Sequence, residues 1–496
     1  MKAPILITSF VLSLTLLCAV PLFAAEPANY VRVTLNLPAP LMELVAEDLD
    51  GDGLKDIAAF CVSANKRSAP IRTVAVFYQD KGGSFPSNPD QAWTLDIRAA
   101  VFDVGSVSAG GKKAIGFMAT DGLYAYLPEG RSYSTSPSQV VKAETVFAQP
   151  DGMNLPRWPF FVDTAGSGPE MALVPTINHL YVYTRNGAGY RQTDSLPLTV
   201  RTEFSEGMAI SAEAPLTLSH RLPVVNAFGY NQPSGSDLFV TWEDNADVWL
   251  RNNGGYQDRP ALSFRPGLVD RTKRDTVENA SVQATDLDGD GRKDLLVTKL
   301  TGGMAQAKSL VFIYIRKKDG TFPQRPDQTI ITEGVVGPDA ADVNGDGRKD
   351  ILLPSIKVGI RNFINMLTSK QIHMDVGVYL QDRNGRFPDS PTKEKGVDFK
   401  LDVSKLGKNS RPVMQTGRFT KTPGLGLAVV AGDNNVNVFL PDRYSVFSDN
   451  PGLKLKVDAP TEMTAVDLNG DGVDDLVMSY KKDKDHSRSV NVFLSK

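Results

Sequence analysis

Residues 286–297 read Asp286-Leu287-Asp288-Gly289-Asp290-Gly291-Arg292-Lys293-Asp294-Leu295-Leu296-Val297. A nine-residue loop rich in acid and glycine runs straight into an apolar, strand-like stretch. The same spacing occurs three more times, as Asp48-Leu49-Asp50-Gly51-Asp52-Gly53-Leu54-Lys55-Asp56, Asp342-Val343-Asn344-Gly345-Asp346-Gly347-Arg348-Lys349-Asp350 and Asp467-Leu468-Asn469-Gly470-Asp471-Gly472-Val473-Asp474-Asp475. One copy would pass for an ordinary turn. Four copies, each at the same place before a buried strand, mark a repeat architecture.

Outward from the loops, a second signature recurs: an alternating aromatic and aliphatic strand, a glycine turn, an aromatic and a proline. Copies start at Val74, Leu123, Leu180, Asp247, Val311, Val376 and Val436, and an eighth, Val490-Asn491-Val492-Phe493-Leu494-Ser495-Lys496, ends the chain with nothing after it. The missing continuation sits at the other end, in Tyr30-Val31-Arg32-Val33-Thr34-Leu35-Asn36-Leu37. A repeat split between the two termini closes a ring and removes exposed sheet edges. The expected fold is therefore all-β, an eight-bladed β-propeller closed by pairing of N- and C-terminal strands. A seven-bladed ring is the alternative, and a solenoid, which needs end caps, is the third. Worn remnants of the loop are placed near Asp103, Asp163, Asn226 and Thr416, without metal at Asp103 and Asp163. One propeller domain is expected over residues 30–496, with an insertion at about 355–375, where Asn362–Met374 has the pattern of a short helix.

The loop chemistry is that of calcium. A hard cation takes about six to eight oxygen ligands. Side chains at positions 1, 3 and 5 converge when the chain curls, and glycine at position 6 permits the turn. The backbone carbonyl at position 7 and the acid at position 9 complete the set. The candidate ligands are Asp48, Asp50, Asp52, Leu54 and Asp56; Asp286, Asp288, Asp290, Arg292 and Asp294; Asp342, Asn344, Asp346, Arg348 and Asp350; and Asp467, Asn469, Asp471, Val473 and Asp475. About four structural calcium ions are expected, one per loop. Magnesium wants a small octahedral shell, and zinc wants His or Cys. An EF-hand needs Glu at position 12 and flanking helices. Position 12 holds Ala59, Val297, Leu353 and Met478, and strand-like runs follow.

The loops in this setting resemble the FG-GAP/VCBS repeat family, also seen in the propeller of integrin α-subunits. The resemblance implies a β-propeller with calcium held between the strands of a blade, by the Asp and Asn residues named above. It also implies an extracellular setting and surface recognition. The Phe-Gly and Gly-Ala-Pro signatures of the integrin repeats are poorly kept here.

The termini and composition set the remaining bounds. Lys2, the apolar run Ile5–Val20 and the small pair Ala24-Ala25 read as a signal peptide, removed at about residue 25, so the protein is expected to be exported, to a periplasm, a cell surface or the medium. A lipid-modified Cys18 is the less favoured reading, because Leu17 stands where a small residue is wanted. No second apolar run is long enough to span a bilayer. Cys61 is then the one remaining cysteine, reads as a buried strand residue, and cannot form an internal disulfide. A net charge of -3 gives no basic surface for nucleic acid.

No nucleophile elbow, zinc signature or phosphate loop is present. The expected function is non-catalytic recognition or scaffolding, with a protein or glycan as partner. The alternative is a carbohydrate-active enzyme, such as a polysaccharide lyase built on a propeller. Trp93 and Trp249 read as core, and Trp158 as the candidate exposed platform for a sugar.

Overall fold

The computed structural model describes residues 29–496 apart from 66–67, 108–111, 149–151, 163–170, 188, 199, 207–215, 229–236, 253, 269–278, 302–307, 334–336, 357–370, 401–412, 433, 443–445, 482 and 484. The signal segment, Cys18, the Asp163 remnant and most of the insertion lie outside these residues. Of the short helix expected over Asn362–Met374, the described residues, 371–374, open the strand Gln371–Tyr379. Pairing with Lys393–Lys400 holds that stretch extended, with Met374 buried in the core.

Eight four-stranded antiparallel sheets form an eight-bladed β-propeller. Among the described residues there is no helix. Blade 1 comprises Leu41–Glu47, Asp56–Asn65, Ser68–Phe77 and Gln91–Thr94. Blade 2 runs from Val101–Gly105 through Ala114–Ala119 and Gly122–Tyr126 to Ser138–Lys142. Blades 3 and 4 begin at Phe161–Val162 and Val224–Phe228. Blades 5, 6 and 7 begin at Asn279–Thr285, Asp339–Ala341 and Met414–Gly417. Blade 8 is built from Glu462–Val466, Asp475–Ser479 and Ser489–Ser495, and its fourth strand is Tyr30–Asn36 from the other end of the chain. That strand pairs antiparallel with the last one in unbroken register, from Tyr30 opposite Ser495 to Asn36 opposite Ser489.

Burial explains the composition of the strands. The second and third strands of each blade are sandwiched by neighbouring blades, so both faces are apolar, as in Ala114–Ala119, where every residue is buried. Apolar clusters span every junction of the ring. Leu35 and Val492 of blade 8 pack with Ile57 and Phe77 of blade 1, and Phe60 of blade 1 with Phe102 and Phe117 of blade 2. Blades 2, 3 and 4 share one cluster, with Met118, Leu173 and Leu238. Val248 shares a cluster with Leu295, Leu296 with Ile351, Leu352 with Leu427, and Leu476 with Ala428, which carries the packing from blade 4 round to blade 8. Cys61 is fully buried in this packing, and burial pushes its thiol up to about 12. Trp93 and Trp249 are core, as expected.

Trp158 is not a platform. It is 8% exposed, packs edge-on against Phe147, and donates its indole N–H to the Pro223 carbonyl. Flanking prolines suggested a surface loop, but the segment fills the junction of blades 2 and 3.

Candidate metal loops

Consecutive antiparallel strands put the first-to-second and third-to-fourth connections at one end of each blade. All four acidic loops are first-to-second connections, so they gather on one face of the ring. Their internal geometry is the same. In the first loop both oxygens of Asp48 accept backbone N–H groups, from Gly51 at 2.7 Å and Gly53 at 3.0 Å. Asp50 accepts from Asp52 N–H, and Asp52 from Leu54 N–H at 2.9 Å. Asp286, Asp288 and Asp290 repeat this pattern, with Arg292 N–H donating to Asp290. Asp342, Asn344 and Asp346 repeat it with Arg348, and Asp467, Asn469 and Asp471 with Val473. Gly51 and Gly53, at φ 82° and 91°, make the curl, and the corresponding glycines of the other loops are left-handed too.

The acid at position 9 has a role of its own. Asp56 is fully buried and accepts on one oxygen from Leu49 N–H at 2.9 Å and on the other from Gln79 N–H at 2.8 Å. It thereby fastens the loop to the residue that leaves the third strand. Asp294 bonds Leu287 and Arg316, Asp350 bonds Val343 and Gln381, and Asp475 bonds Leu468 and Ser495 in the same way. Position 2 is apolar because it is core: Leu49, Leu287, Val343 and Leu468 are all buried.

Blade 4 shows the clamp without the acids. Asp237 starts its second strand at the register position of Asp56 and accepts from Arg251 N–H at 2.9 Å. The sequence reading missed Asp237, since no glycine-rich loop announces it. The signal was there: an aspartate opening a buried strand, as in the other four. Ala114, Met171 and Gly426 take that position in blades 2, 3 and 7. Blades 2 and 7 place Pro128 and Pro441 where the donor would be, and proline has no N–H to give.

Three of the worn loops were placed too early. Register with the second strand sets Asp103 and Thr416 inside first strands, not in loops. Asp103 is buried and ties blade 2 to blade 3, accepting from Phe160 and Phe161 N–H at 2.9 and 3.0 Å and from Arg157 at 3.0 Å. Asn226 likewise lies within the strand Val224–Phe228.

Carboxylate oxygens of Asp48, Asp50 and Asp52 lie within 4.8 Å of one another, and so do those of Asp286, Asp288 and Asp294. Like charges this close repel, and burial adds to the cost. Desolvation, followed by the charge of Asp52, raises the Asp50 carboxyl. Burial also raises Asp288, Asp350 and Asp475. It pushes Asp56 and Asp294 up to about 6, against the backbone N–H groups they accept. Guanidinium groups offset part of this. Arg131 of blade 2 lies 3.0 Å from Asp50, Arg292 pairs with Asp290, and Arg348 with Asp346. The donor set is all oxygen, with no His or Cys, and it fits a hard divalent cation.

Residues 286–353 match the FG-GAP-like repeat family. No curated protein matches the sequence. Among solved structures, the chain is similar to a lectin of Agrocybe aegerita that recognises non-reducing terminal N-acetylglucosamine, with 14% identity over 77% of this chain and 93% of that one and a TM-score of 0.40. It is also similar to BBS1N in complex with ARL6DN, with 12% identity over 81% and 95% and a TM-score of 0.37. A third is the Vibrio cholerae biofilm matrix protein Bap1, with 10% identity over 95% and 88% and a TM-score of 0.29. No helix among the described residues is long and apolar enough to cross a membrane.

Proposed function

We propose that the protein is an exported calcium-binding β-propeller that serves as a non-catalytic recognition or scaffolding module for a protein or glycan. The observation that carries the metal half is the grouping of Asp48, Asp50 and Asp52, at positions 1, 3 and 5, and of Asp286, Asp288 and Asp294, at positions 1, 3 and 9 of a second loop. Calcium suits a curled loop with side-chain oxygens at positions 1, 3 and 5, and about four ions would occupy the four loops. The FG-GAP-like repeat at 286–353 supports the same reading.

The recognition half follows from where the loops lie. They share one face with the third-to-fourth-strand connections, the broad surface that a propeller offers to a partner. A cation that cancels carboxylate repulsion would order this face and lower the cost of binding there. The leader-like Lys2, Ile5–Val20 and Ala24-Ala25 supports export, where calcium is abundant.

The test is a binding screen of the mature protein against immobilised glycans and matrix proteins, in calcium and in chelator. The reading expects ligands retained in calcium and lost in chelator. Cleavage of acidic polysaccharides to unsaturated products would overturn the non-catalytic half.

A further inference from the structure

Gln79 and Gln381 occupy one register position in blades 1 and 6, the residue that leaves the third strand. They are 0% and 3% exposed. Neither the Oε1 nor the Nε2 of either side chain has a hydrogen-bond partner among the described residues. Buried amides are normally satisfied at both ends, so two orphaned amides at equivalent positions call for a missing partner.

Their surroundings identify it. The backbone N–H of each donates to the clamp acid of its own loop, Asp56 or Asp350. The carbonyl of each accepts from an arginine paired with that loop. Arg131 donates to the Gln79 carbonyl and pairs with Asp50. Arg348 donates to the Gln381 carbonyl and pairs with Asp346. The side-chain direction at this position is seen in blade 8, where Ser495 stands in place of Gln. Its hydroxyl lies 2.8 Å from Asp475 and 3.3 Å from Asp471, so the position looks into the acidic loop at ligand positions 9 and 5.

We propose that the amides of Gln79 and Gln381 belong to the cation sites of blades 1 and 6, each presenting Oε1 to the ion directly or through one bound water. This rests on the cation-binding reading of the loops. An amide oxygen is a hard, uncharged donor of the kind calcium accepts. A hydrated ion supplies both missing partners, the ion or a water proton for Oε1 and a water oxygen for Nε2. Blades 5 and 8 carry Arg316 and Ser495 at this position, so the four loops divide into two amide-supported sites and two without.

The test is calcium titration calorimetry on the full mature chain and on the double variant Gln79→Met/Gln381→Met, with melting of both in chelator. Methionine keeps the length and removes the amide. The expected result is a loss of about 10–100-fold in affinity at two of the four sites, as for other groups that support a bound metal. Melting in chelator should be unchanged or higher, because an unsatisfied buried amide has been removed. Unchanged affinity at all sites, in a protein that binds calcium normally, overturns this proposal and leaves the loops intact. A wild-type chain that binds no calcium overturns the cation reading and this proposal with it. If the double variant fails to fold, each single variant should weaken one site, and unaltered titrations of both would overturn the proposal.

Discussion

The carbonyl of Leu468 accepts the backbone N–H of Lys55 at 2.9 Å, joining the acidic loop of the last blade to that of the first. Lys113 N–H reaches Leu49 in the same way, and Leu425 N–H reaches Val343. In these three places position 2 of one loop is fastened to position 8 of the next. The residue at position 2 also gives its N–H to the clamp acid, at Leu49, Val343 and Leu468. Ordering one loop therefore constrains its neighbour through a single residue.

The clamp acids should matter for folding apart from any metal. Asp56→Ala strands the N–H groups of Leu49 and Gln79, at about 1–3 kcal/mol for each buried donor. Asp237→Ala should destabilise by about 1–3 kcal/mol through Arg251 N–H, with calcium binding unchanged. Denaturant melts and calcium titration of the two variants check this. A calcium defect in Asp237→Ala would contradict the separation of clamp from ligand.

Ring closure depends on the N-terminal strand. Leu35→Ala, at a fully buried site between blades 8 and 1, should cost about 2–5 kcal/mol. Deleting residues through Asn36 should cost more and expose Ser489–Ser495 as an open edge, with self-association in light scattering. A monomeric deletion variant with wild-type melting would refute closure by this strand.

Matching loop glycines should differ in tolerance. Gly289 and Gly345 have φ of 75° and 76°, but a Cβ on Gly289 meets nothing, whereas one on Gly345 comes within 2.5 Å of Pro423 Cβ and 2.7 Å of Gly424 N. Gly289→Ala should cost about 1 kcal/mol from backbone strain. Gly345→Ala should cost about 1–3 kcal/mol more from overlap. Equal melting temperatures for the two variants would show that the blade 7 loop yields freely.

His373 gives a pH signature. Its ring hydrogen-bonds Asp398 at 2.7 Å and Asp375 at 3.1 Å, and these partners, Asp398 first, raise its pKa. A raised folded pKa means stabilisation that is complete below the unfolded value of about 6.5 and is lost as pH rises through the folded one. His373→Gln should therefore lower stability at about pH 5.5 and converge with wild type at about pH 8.5. The gap will be small, because the ring is half exposed and salt screens it. A gap independent of pH would rule out the ion pair.

The ring, its blade number and the split blade were legible because strand alternation survives in every repeat and the loop spacing in four of them. What escaped the sequence depends on register. Asp103 and Asp163 look alike as isolated acids, yet pairing puts Asp103 two residues inside a strand, where it joins two blades. Trp158 lies among prolines that suggest exposure, and only the packing of neighbouring blades buries it. Asp237 lacks the glycines that advertise its counterparts, and its role appears once Arg251 N–H is seen to reach it. The double use of position 9, as candidate ligand and backbone clamp, is likewise invisible without the third strand.

The most direct test of the calcium reading is metal content and thermal unfolding of the mature protein, measured with calcium and with chelator. A ligand of the native state raises the melting temperature by mass action. The account predicts about four bound calcium ions per chain and a higher melting temperature that chelator reverses. A metal-free protein whose melting is the same in both conditions would mean that the four loops are turns held by their own aspartates, and the account would be wrong at its centre.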